Sequence, residues 1–202
     1  IMRENHVKRA LKSGKKTCGA WLNMCSPISA EIMGGAGFDW ILVDMEHGPG
    51  DFQMLMYQLQ ALSAFDSIPL VRAPWNDLVS IKRILDVGAY GVMIPWINDR
   101  EQCEAAVEAC KYPPQGARGT AALVRAAGWT RDWADYLPRA NDEIMVIVQL
   151  ETITAVDNVD EIISVEGVDV AFVGPSDLSS SMGHTGNLQH PEVQEAIRRV
   201  ES

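Results

Sequence analysis

The sequence predicts an α/β fold in which helices cover a parallel β-sheet. Short apolar, β-branched runs alternate along the chain with amphipathic stretches, and about six such units fit into the 202 residues. The runs are apolar along most of their length, which is typical of parallel strands that are buried on both faces. The pattern is compatible with a doubly wound sheet and with a barrel.

Each strand-like run ends in a polar or Gly/Pro corner, and an amphipathic stretch follows it. The predicted strands are residues 17–23, 39–46, 68–74, 90–97, 144–151 and 168–174. The predicted helices are residues 27–35, 51–64, 77–87, 99–111 and 153–163, a short helix at 134–141, and a last one from about 191.

Capping residues and glycines predict the helix boundaries. Ser26 precedes Pro27, so a capping hydroxyl stands before a proline at the first helical position. Asp77 precedes another amphipathic run and Gly88 follows it, as expected of a helix start and a helix end. The longest irregular stretch, residues 112–132, is predicted to be functional, because loops of this length are uncommon in compact domains.

No composition break or flexible linker divides the chain, so we expect residues 1–202 to form a single domain. The last helical pattern is still in progress where the sequence ends. We therefore interpret the chain as about six βα units of a longer eight-unit barrel, with the last two units lying outside it.

Composition and charge argue against several classes of function. With 47% hydrophobic and 22% charged residues, the chain has the composition of a soluble globular protein. The net charge of −10 argues against nucleic-acid binding, and neither a membrane span nor a signal-peptide pattern is present. The cysteines form no CxxC motif, which indicates a reduced, cytoplasmic protein and argues against structural zinc. They are Cys18, Cys25, Cys103 and Cys110.

Polar side chains stand where four of the predicted strands end. The candidates are Asp44, Glu46 and His47, then Arg72, then Gln149 and Glu151, then Ser176 and Asp177. Because active sites of parallel α/β folds gather at the carboxyl ends of the strands, we expect these side chains to lie close together. Alternation along a strand puts Asp44 and Glu46 on one face of the sheet, and likewise Gln149 and Glu151.

Several candidates also have plain structural interpretations. Glu151 is compatible with an acid in the first turn of a helix, Asp177 with a loop cap, and His47 with a turn histidine. Asp86 falls at a helix C-terminus, where an acid opposes the helix dipole, and this indicates a charged partner. The histidines without strand-end positions are expected at the surface or in loops, and they are His6, His184 and His190.

Other common site motifs do not fit. The glycines of MGGAGFDW (33–40) follow a helix and precede a strand, which is the reverse of the dinucleotide-binding order. Lys82 and Lys111 lie in helical patterns rather than at strand ends, so a Schiff-base mechanism is disfavoured. P-loop, GxSxG and HExxH motifs are absent from the sequence.

The remaining set of two carboxylates, an arginine and a histidine suits metal chemistry. Carboxylate oxygens bind hard divalent cations such as Mg²⁺ or Mn²⁺, which keep open positions for substrate oxygens. Such a cation and an arginine together would polarise a 2-oxo acid, while a base handles the protons. The residues alone predict metal-dependent carbon–carbon bond or enolate chemistry on a small keto acid.

The sequence also resembles a known family. The segments on which the resemblance rests are, in chain order, AGFDWILVDMEHGP, PLVRAPWND, ILDVGAYGVMIPWI, CKYPPQGARG, VQLET and VEGVDVAFVGPSDLS. They resemble the HpcH/HpaI class II aldolases (4-hydroxy-2-oxoheptanedioate / 2-dehydro-3-deoxyglucarate aldolases). The resemblance implies a (β/α)8 TIM barrel, a divalent cation (Mg²⁺, Mn²⁺ or Co²⁺) and a homo-oligomer, typically a hexamer. It also implies reversible cleavage of a 4-hydroxy-2-oxo acid to pyruvate and an aldehyde through a metal-bound pyruvate enolate.

By position, the resemblance implies that Glu151 and Asp177 ligate the metal. Gln149, Ser176 and the backbone near Gly174 would hold the substrate carboxylate, with Asp177 beside them.

The resemblance further implies that Arg72 stabilises the enolate and that His47 is the acid/base on the hydroxyl at the bond that breaks. Asp86 would raise the basicity of His47. Asp44 and Glu46 would support the site by positioning a metal-bound water or the adjacent loop.

The loop after YPP departs from the family pattern. Family members often read RGxGS there, whereas Thr120 follows Arg118 and Gly119 in this chain. Since this loop is expected to enclose the aldehyde half, the sequence does not choose the aldehyde, and Arg125 is a candidate contact for an acidic one. The open alternatives are an oxaloacetate decarboxylase, a citrate-synthase-like condensing enzyme, and a non-catalytic metabolite-binding oligomer.

Overall fold

A computed structural model describes residues 2–201, which form a six-stranded parallel sheet flanked by helices. The strands are β1 (Gly19–Leu22), β2 (Trp40–Asp44), β3 (Ile68–Arg72), β4 (Gly91–Ile94), β5 (Met145–Leu150) and β6 (Val170–Val173). Each strand pairs in parallel with its neighbours in sequence, in the order β1-β2-β3-β4-β5-β6. A helical crossover therefore carries the chain from each strand to the next.

Helices precede, separate and follow the strands. They are α1 (His6–Lys12), α2 (Pro27–Gly34), α3 (Phe52–Leu62), α4 (Leu78–Asp86), α5 (Arg100–Cys110), α6 (Trp133–Glu143), α7 (Ile153–Asp157), α8 (Val159–Ile163), α9 (Pro175–Ser181) and α10 (Pro191–Glu201). Side chains cap several of them, and Ser26 accepts from the backbone of Ser29 at α2 as the sequence predicts. Within residues 2–201, no helix combines the length and apolar character that a membrane crossing requires.

The sheet curls back toward itself. β1 and β6 are at opposite edges of the sheet, yet the rings of Trp21 and Phe172 lie 6.0 Å apart between centroids. A flat sheet of this width would keep its two edges far apart, because neighbouring strands are about 4.8 Å from each other. The six strands therefore form a curled half-barrel that resembles a TIM barrel.

Alternation along the strands divides the core into two layers. The inner layer faces the interior of the half-barrel, and its buried strand residues include Leu42, Leu70, Met93 and Ile147. The outer layer packs against the helices and includes Ile41, Val71, Val92 and Val148 from the strands. At the carboxyl ends of the strands the inner face continues into polar residues, and this is where the candidate site lies.

The short helix α1 lies across the amino ends of the strands. Val7 is fully buried in the inner layer, and Asn5 Nδ2 donates to the carbonyl oxygens of Tyr90 and Glu143, which precede β4 and β5. Lys8 Nζ forms a 2.9 Å ion pair with Asp169, which precedes β6. This helix covers the amino end of the interior, so the polar residues at the carboxyl end face the open side.

The observed elements agree with the predicted ones apart from one divided helix, two short helices that were not predicted, and a 3₁₀ helix (Arg125–Ala127) in the stretch predicted to be irregular. All the predicted strands are present at shorter lengths. The predicted helix at 153–163 is two helices, because the backbone leaves helical geometry at Asn158, whose side chain donates to the Asn98 carbonyl at 2.8 Å. α1 and α9 were not predicted, since seven residues are too few to give a clear helical period.

Candidate active site

Asp44 and Arg72 form a buried ion pair at the carboxyl ends of β2 and β3. The two residues are directly opposite each other in the register of these strands. Arg72 donates from Nε to Asp44 Oδ1 at 2.9 Å and from Nη2 to Asp44 Oδ2 at 2.6 Å. Burial alone would raise the pKa of Asp44, but the hydrogen bond and charge of Arg72 outweigh it and the pKa is lowered. The pair is therefore ionised and held in a two-point geometry.

Three further residues fix this ion pair. Glu46 Oε2 lies 2.9 Å from Arg72 Nη1 as an ion pair without hydrogen-bond alignment. Asn23 Nδ2 donates to Asp44 Oδ2 at 2.5 Å, and the Arg72 guanidinium carbon lies 4.7 Å from the centre of the Trp21 ring. Burial would lower the pKa of Arg72, but the two carboxylates raise it instead. Asp44 and Glu46 thus share a face, as strand alternation predicts, and both neutralise Arg72.

Glu151 and Gln149 present buried oxygens that lack partners. Glu151 is 1% exposed just beyond the end of β5, and its Oε1 accepts from the Trp96 backbone at 2.8 Å. Glu151 Oε2 and Gln149 Oε1 are buried without a hydrogen-bond partner among the described residues. A Cβ at Gly174 would lie 2.7 Å from Glu151 Oε2 and 2.8 Å from Gln149 Nε2, so only glycine fits beside them.

Other acids surround Glu151. The pKa of Glu151 is raised to about 7, because burial and the nearby charges of Glu46 and Asp177 together outweigh the lowering by the Trp96 N–H. Asp177 is half-buried in the first turn of α9, directly after β6. Carboxylates that repel one another in a buried place are stabilised by a cation between them.

These residues fit a divalent metal ion. The unpartnered Glu151 Oε2 is an oxygen ligand that has been desolvated without compensation, which is costly unless a cation pairs with it. Asp177 supplies a second carboxylate close enough to influence the pKa of Glu151. Oxygen-only ligands of this kind suit Mg²⁺ or Mn²⁺ better than softer metals.

His47 and Ser176 occupy the solvent side of the same end. His47 is exposed after β2, and its backbone N–H donates to Asp44 Oδ1 at 3.4 Å. Its imidazole makes no hydrogen bond within residues 2–201. Burial raises the pKa of Glu46, and the His47 side chain is near enough to oppose part of that rise. Ser176 is exposed beside Asp177 in the first turn of α9. Both side chains are free to meet a substrate that enters from this side.

Residues 17–202 match the family described as HpcH/HpaI aldolase/citrate lyase. The chain belongs to this family. A 4-hydroxy-2-oxo-heptane-1,7-dioate aldolase of Escherichia coli is 49% identical over 198 residues, which are 98% of this chain and 75% of that protein.

Solved structures of HpcH/HpaI relatives have the same fold. A family protein from Burkholderia cenocepacia is 40% identical, with a TM-score of 0.93 over 97% of this chain and 79% of that one. The citrate synthase SbnG is 30% identical, with a TM-score of 0.86 over 96% of this chain and 76% of that one. The relatives of this chain thus include proteins named as aldolases, which are carbon–carbon lyases, and one named as a citrate synthase.

Asp86 does not reach His47 within this HpcH/HpaI chain. Asp86 is the last residue of α4, and helices of a βα unit run back toward the amino ends of the strands, whereas His47 follows a strand. Asp86 Oδ1 instead accepts from Arg118 Nη2 at 2.8 Å. The charged partner that the helix position predicts is therefore Arg118, and the expected pairing with His47 is not formed in the described part of the chain.

Residues 112–132 also lie at the amino ends of the strands, because they join α5 to α6. Arg125 donates to the carbonyl oxygens of Val87, the residue after α4, and of Leu59, in the last turn of α3. Both helix ends lie on the side of the strands' amino ends. The expectation that Arg125 meets the aldehyde is therefore wrong for the site of its own chain. The placement of this loop follows from the direction of α5, which runs from the carboxyl end of β4 back toward the amino ends of the strands.

Three residues that shape the site were not predicted from the sequence. Trp21 and Asn23 contact the Arg72–Asp44 pair from β1 and just beyond it. Trp96 follows β4 with a left-handed φ of 59°, which is uncommon for a large side chain and directs its N–H to Glu151. Both tryptophans stand at or near strand ends, so inspecting every strand end for aromatic as well as polar residues would have found them.

Proposed function

We propose that the chain is a metal-dependent class II aldolase that reversibly cleaves a 4-hydroxy-2-oxo acid to pyruvate and an aldehyde. The observation that carries the proposal is the buried, unpartnered Glu151 Oε2 near the Asp177 carboxylate, at the open end of the half-barrel. The names of the relatives support aldol cleavage as the reaction.

Glu151 and Asp177 would hold the divalent cation, for which Mg²⁺ and Mn²⁺ are the first candidates and Co²⁺ the next. Bound there, the cation would supply a Lewis acid that polarises the carbonyl group of a 2-oxo acid. The carboxylate end of the substrate would lie against Gln149, Ser176 and the backbone at Gly174. The close approach that Gly174 permits supports this binding mode.

Arg72 would stabilise the negative charge that develops on the 2-oxo oxygen as the carbon–carbon bond breaks. Its guanidinium is already positioned by Asp44, Glu46 and the Trp21 ring, so little reorganisation is needed during the reaction. Asp44 and Glu46 are positioning residues in this scheme, since they act through Arg72.

His47 would move the proton of the substrate hydroxyl. In cleavage its imidazole accepts the proton from the 4-hydroxyl group as the aldehyde forms, and in synthesis it returns the proton. Glu46 is the carboxylate that interacts with His47 in this chain. Asp86 does not take this part within one chain.

The same proposal includes the fold of the whole domain and its oligomeric state. We infer that residues 1–202 belong to a single domain with the (β/α)8 barrel fold, since consecutive parallel strands curl until Trp21 and Phe172 approach. A cytoplasmic homo-oligomer, a hexamer by resemblance, stays a prediction.

A second candidate function uses the same chemistry in another direction. The likeness to the citrate synthase SbnG favours a condensing enzyme, in which an enolate adds to a carbonyl group and the new hydroxyl group takes up a proton. Arg72 and the metal ligands would keep their roles. His47 would have less to do only in an oxaloacetate decarboxylase, where no hydroxyl proton moves.

The test is pyruvate release from a panel of 4-hydroxy-2-oxo acids, measured with a lactate dehydrogenase coupling. Activity should disappear after exhaustive EDTA treatment and return with Mg²⁺, Mn²⁺ or Co²⁺. Pyruvate release that survives EDTA would refute the metal mechanism. Turnover of oxaloacetate alone, with no aldol substrate accepted in either direction, would favour the second candidate.

A further inference from the structure

A second group of metal-ligand side chains lies between α9 and α10, outside the candidate active site. His184, His190 and Glu192 each bring one ligand atom to within 4.8 Å of the other two. Among residues 2–201, this is the single group of three or more His, Cys, Asp or Glu side chains that converges so closely. The aldolase chemistry makes no use of it.

The spacing of the three side chains is close to that of a metal site. His184 Nε2 lies 3.0 Å from Glu192 Oε2, and the rings of His184 and His190 are stacked with centroids 3.5 Å apart. Ligand atoms around a tetrahedral zinc ion are about 3.3 Å apart, because each bond is about 2.0 Å long. For all three ligand atoms to reach this separation, the His190 ring would have to turn out of the stack with His184 and give up the 3.3 Å hydrogen bond that its Nδ1 accepts from the Glu192 backbone N–H.

The backbone that carries these ligands is already ordered. The His184 N–H donates to the Ser179 carbonyl at 2.7 Å, and the His190 N–H donates to the Asn187 carbonyl at 3.1 Å. Gly183, just before His184, and Gly186, between the two histidines, adopt φ values of +79° and +78°, which allow the chain to turn at both places. Preformed turns reduce the ordering that binding would otherwise require.

We propose that His184, His190 and Glu192 form a divalent-metal site for a borderline-soft cation of the Zn²⁺ class. Two imidazoles and one carboxylate are a ligand set typical of Zn²⁺, with a fourth position open to water. The carboxylates of Glu151 and Asp177 are instead suited to harder ions. The proposal is independent of the aldolase function, because the two groups share no residue.

A metal in this position joins the end of α9 to the beginning of α10. His184 follows α9, Glu192 is in the first turn of α10, and buried Leu178 and Ala196 already pack these two helices together. α9 carries Asp177 in its own first turn. The second metal therefore stabilises the helix that holds a proposed ligand of the first.

The test counts zinc ions per chain by calorimetric titration of untagged, chelator-treated protein. Zn²⁺ generally binds a given set of ligands more tightly than Mn²⁺ does, so it should also occupy the Glu151 site. We therefore expect two sites in the wild type, one in His190→Ala, one in Glu151→Gln, and none in the double variant. His6→Ala, which removes an exposed histidine on α1, should keep both sites. Circular dichroism of each variant without metal checks that the fold is retained.

The outcomes separate the two proposals. If Glu151→Gln binds no zinc, or if the double variant still binds one ion as tightly as Glu151→Gln alone, the histidine site is refuted. If the wild type binds one ion that is lost in His190→Ala and kept in Glu151→Gln, this site stands and the metal role of Glu151 fails.

Two further measurements identify the ligands. Co²⁺ bound to Glu151→Gln should give the visible absorption of a low-coordinate imidazole site, and His184→Ala should abolish it. At a Zn²⁺ concentration of about 100 times Kd, the unfolding temperature of Glu151→Gln should rise by about 5–10 °C. A rise of the same size in the His190→Ala double variant would contradict the proposed stabilisation of α9.

Discussion

The substitution Asp44→Asn tests whether one carboxylate holds Arg72, the arginine that we propose stabilises the enolate, in place. Asp44 is buried and accepts two hydrogen bonds from Arg72, one from Asn23 and two longer ones from backbone N–H groups. An asparagine removes the charge and replaces one acceptor oxygen by an NH₂ group. That group would face a donor of either Arg72 or Asn23, so at least one hydrogen bond must break.

The expected loss of stability follows from the burial of the pair. Removing one partner of a buried ion pair costs about 3–5 kcal/mol, because the remaining charge is left uncompensated. Arg72 keeps Glu46 at 2.9 Å and the Trp21 ring, so the lower end, about 3 kcal/mol, applies. For a chain of this size that corresponds to a fall in the unfolding temperature of about 6–12 °C.

The effect should depend on pH in a defined direction. Burial raises the pKa of Asp44 but Arg72 more than offsets this, so the folded pKa is below the ordinary value of 3.8. The stabilising contribution of an acid with a lowered pKa is complete above the unfolded value and is lost as the pH falls through the folded value. The difference between wild type and Asp44→Asn should therefore be full at pH 7 and diminish below pH 3.8.

Urea unfolding followed by circular dichroism at pH 7 and at acid pH measures these quantities. Asp51→Asn is the matched control, because Asp51 is an exposed N-cap of α3 and asparagine caps a helix equally well. A loss below about 1 kcal/mol for Asp44→Asn at pH 7 would refute the reasoning, as that is the size of an exposed pair. A loss that does not change with pH would refute the charge as its cause.

Three other substitutions test the remaining parts of the site. His47→Ala should slow aldol cleavage by about 10²–10⁴-fold but slow oxaloacetate decarboxylation much less, because decarboxylation moves no hydroxyl proton; equal losses in the two assays would contradict the assigned role. Glu151→Gln should abolish metal-dependent turnover, and without metal it should be more stable than the wild type at pH 8. Because the pKa of Glu151 rises from 4.5 to about 7 on folding, its ionised form lowers the free energy of unfolding of the wild type by about 3 kcal/mol above pH 7 and by nothing below pH 4.5. Urea unfolding should therefore show the higher stability of Glu151→Gln only at the higher pH. Gly174→Ala should lose metal affinity and about 1–3 kcal/mol of stability, since its Cβ would lie 2.7 Å from Glu151 Oε2; Gly119→Ala, whose Cβ meets nothing closer than 3.4 Å, is the control, and equal effects in calorimetry and unfolding would exclude the contact as the cause.

The strand ends were predictable because strand alternation is a local property. Asp44 and Glu46 both contact Arg72, and Gln149 and Glu151 both lie beside Gly174, as their even spacing along the strands implies. The side chains were expected to meet because parallel strands bring their carboxyl ends to the same edge.

Contacts between distant parts of the chain were less predictable. The resemblance assigned Asp86 to His47, whereas the direction of α4 carries Asp86 to the other end and to Arg118. The convergence of His184 and His190 depends on two glycine turns, so the sequence suggested only surface histidines.

The sequence by itself determined the order of the strands and of most helices, the polar residues at the strand ends and the family, since these follow from neighbouring residues and their period. Only the tertiary structure decided that Arg72 is clamped by Asp44, that Trp96 satisfies one oxygen of Glu151, and that the other oxygen has no partner. Those facts depend on strand register and on how separate loops pack. A sequence pattern fixes which face a side chain occupies, whereas the distance to a remote partner is set by the packing of the whole chain.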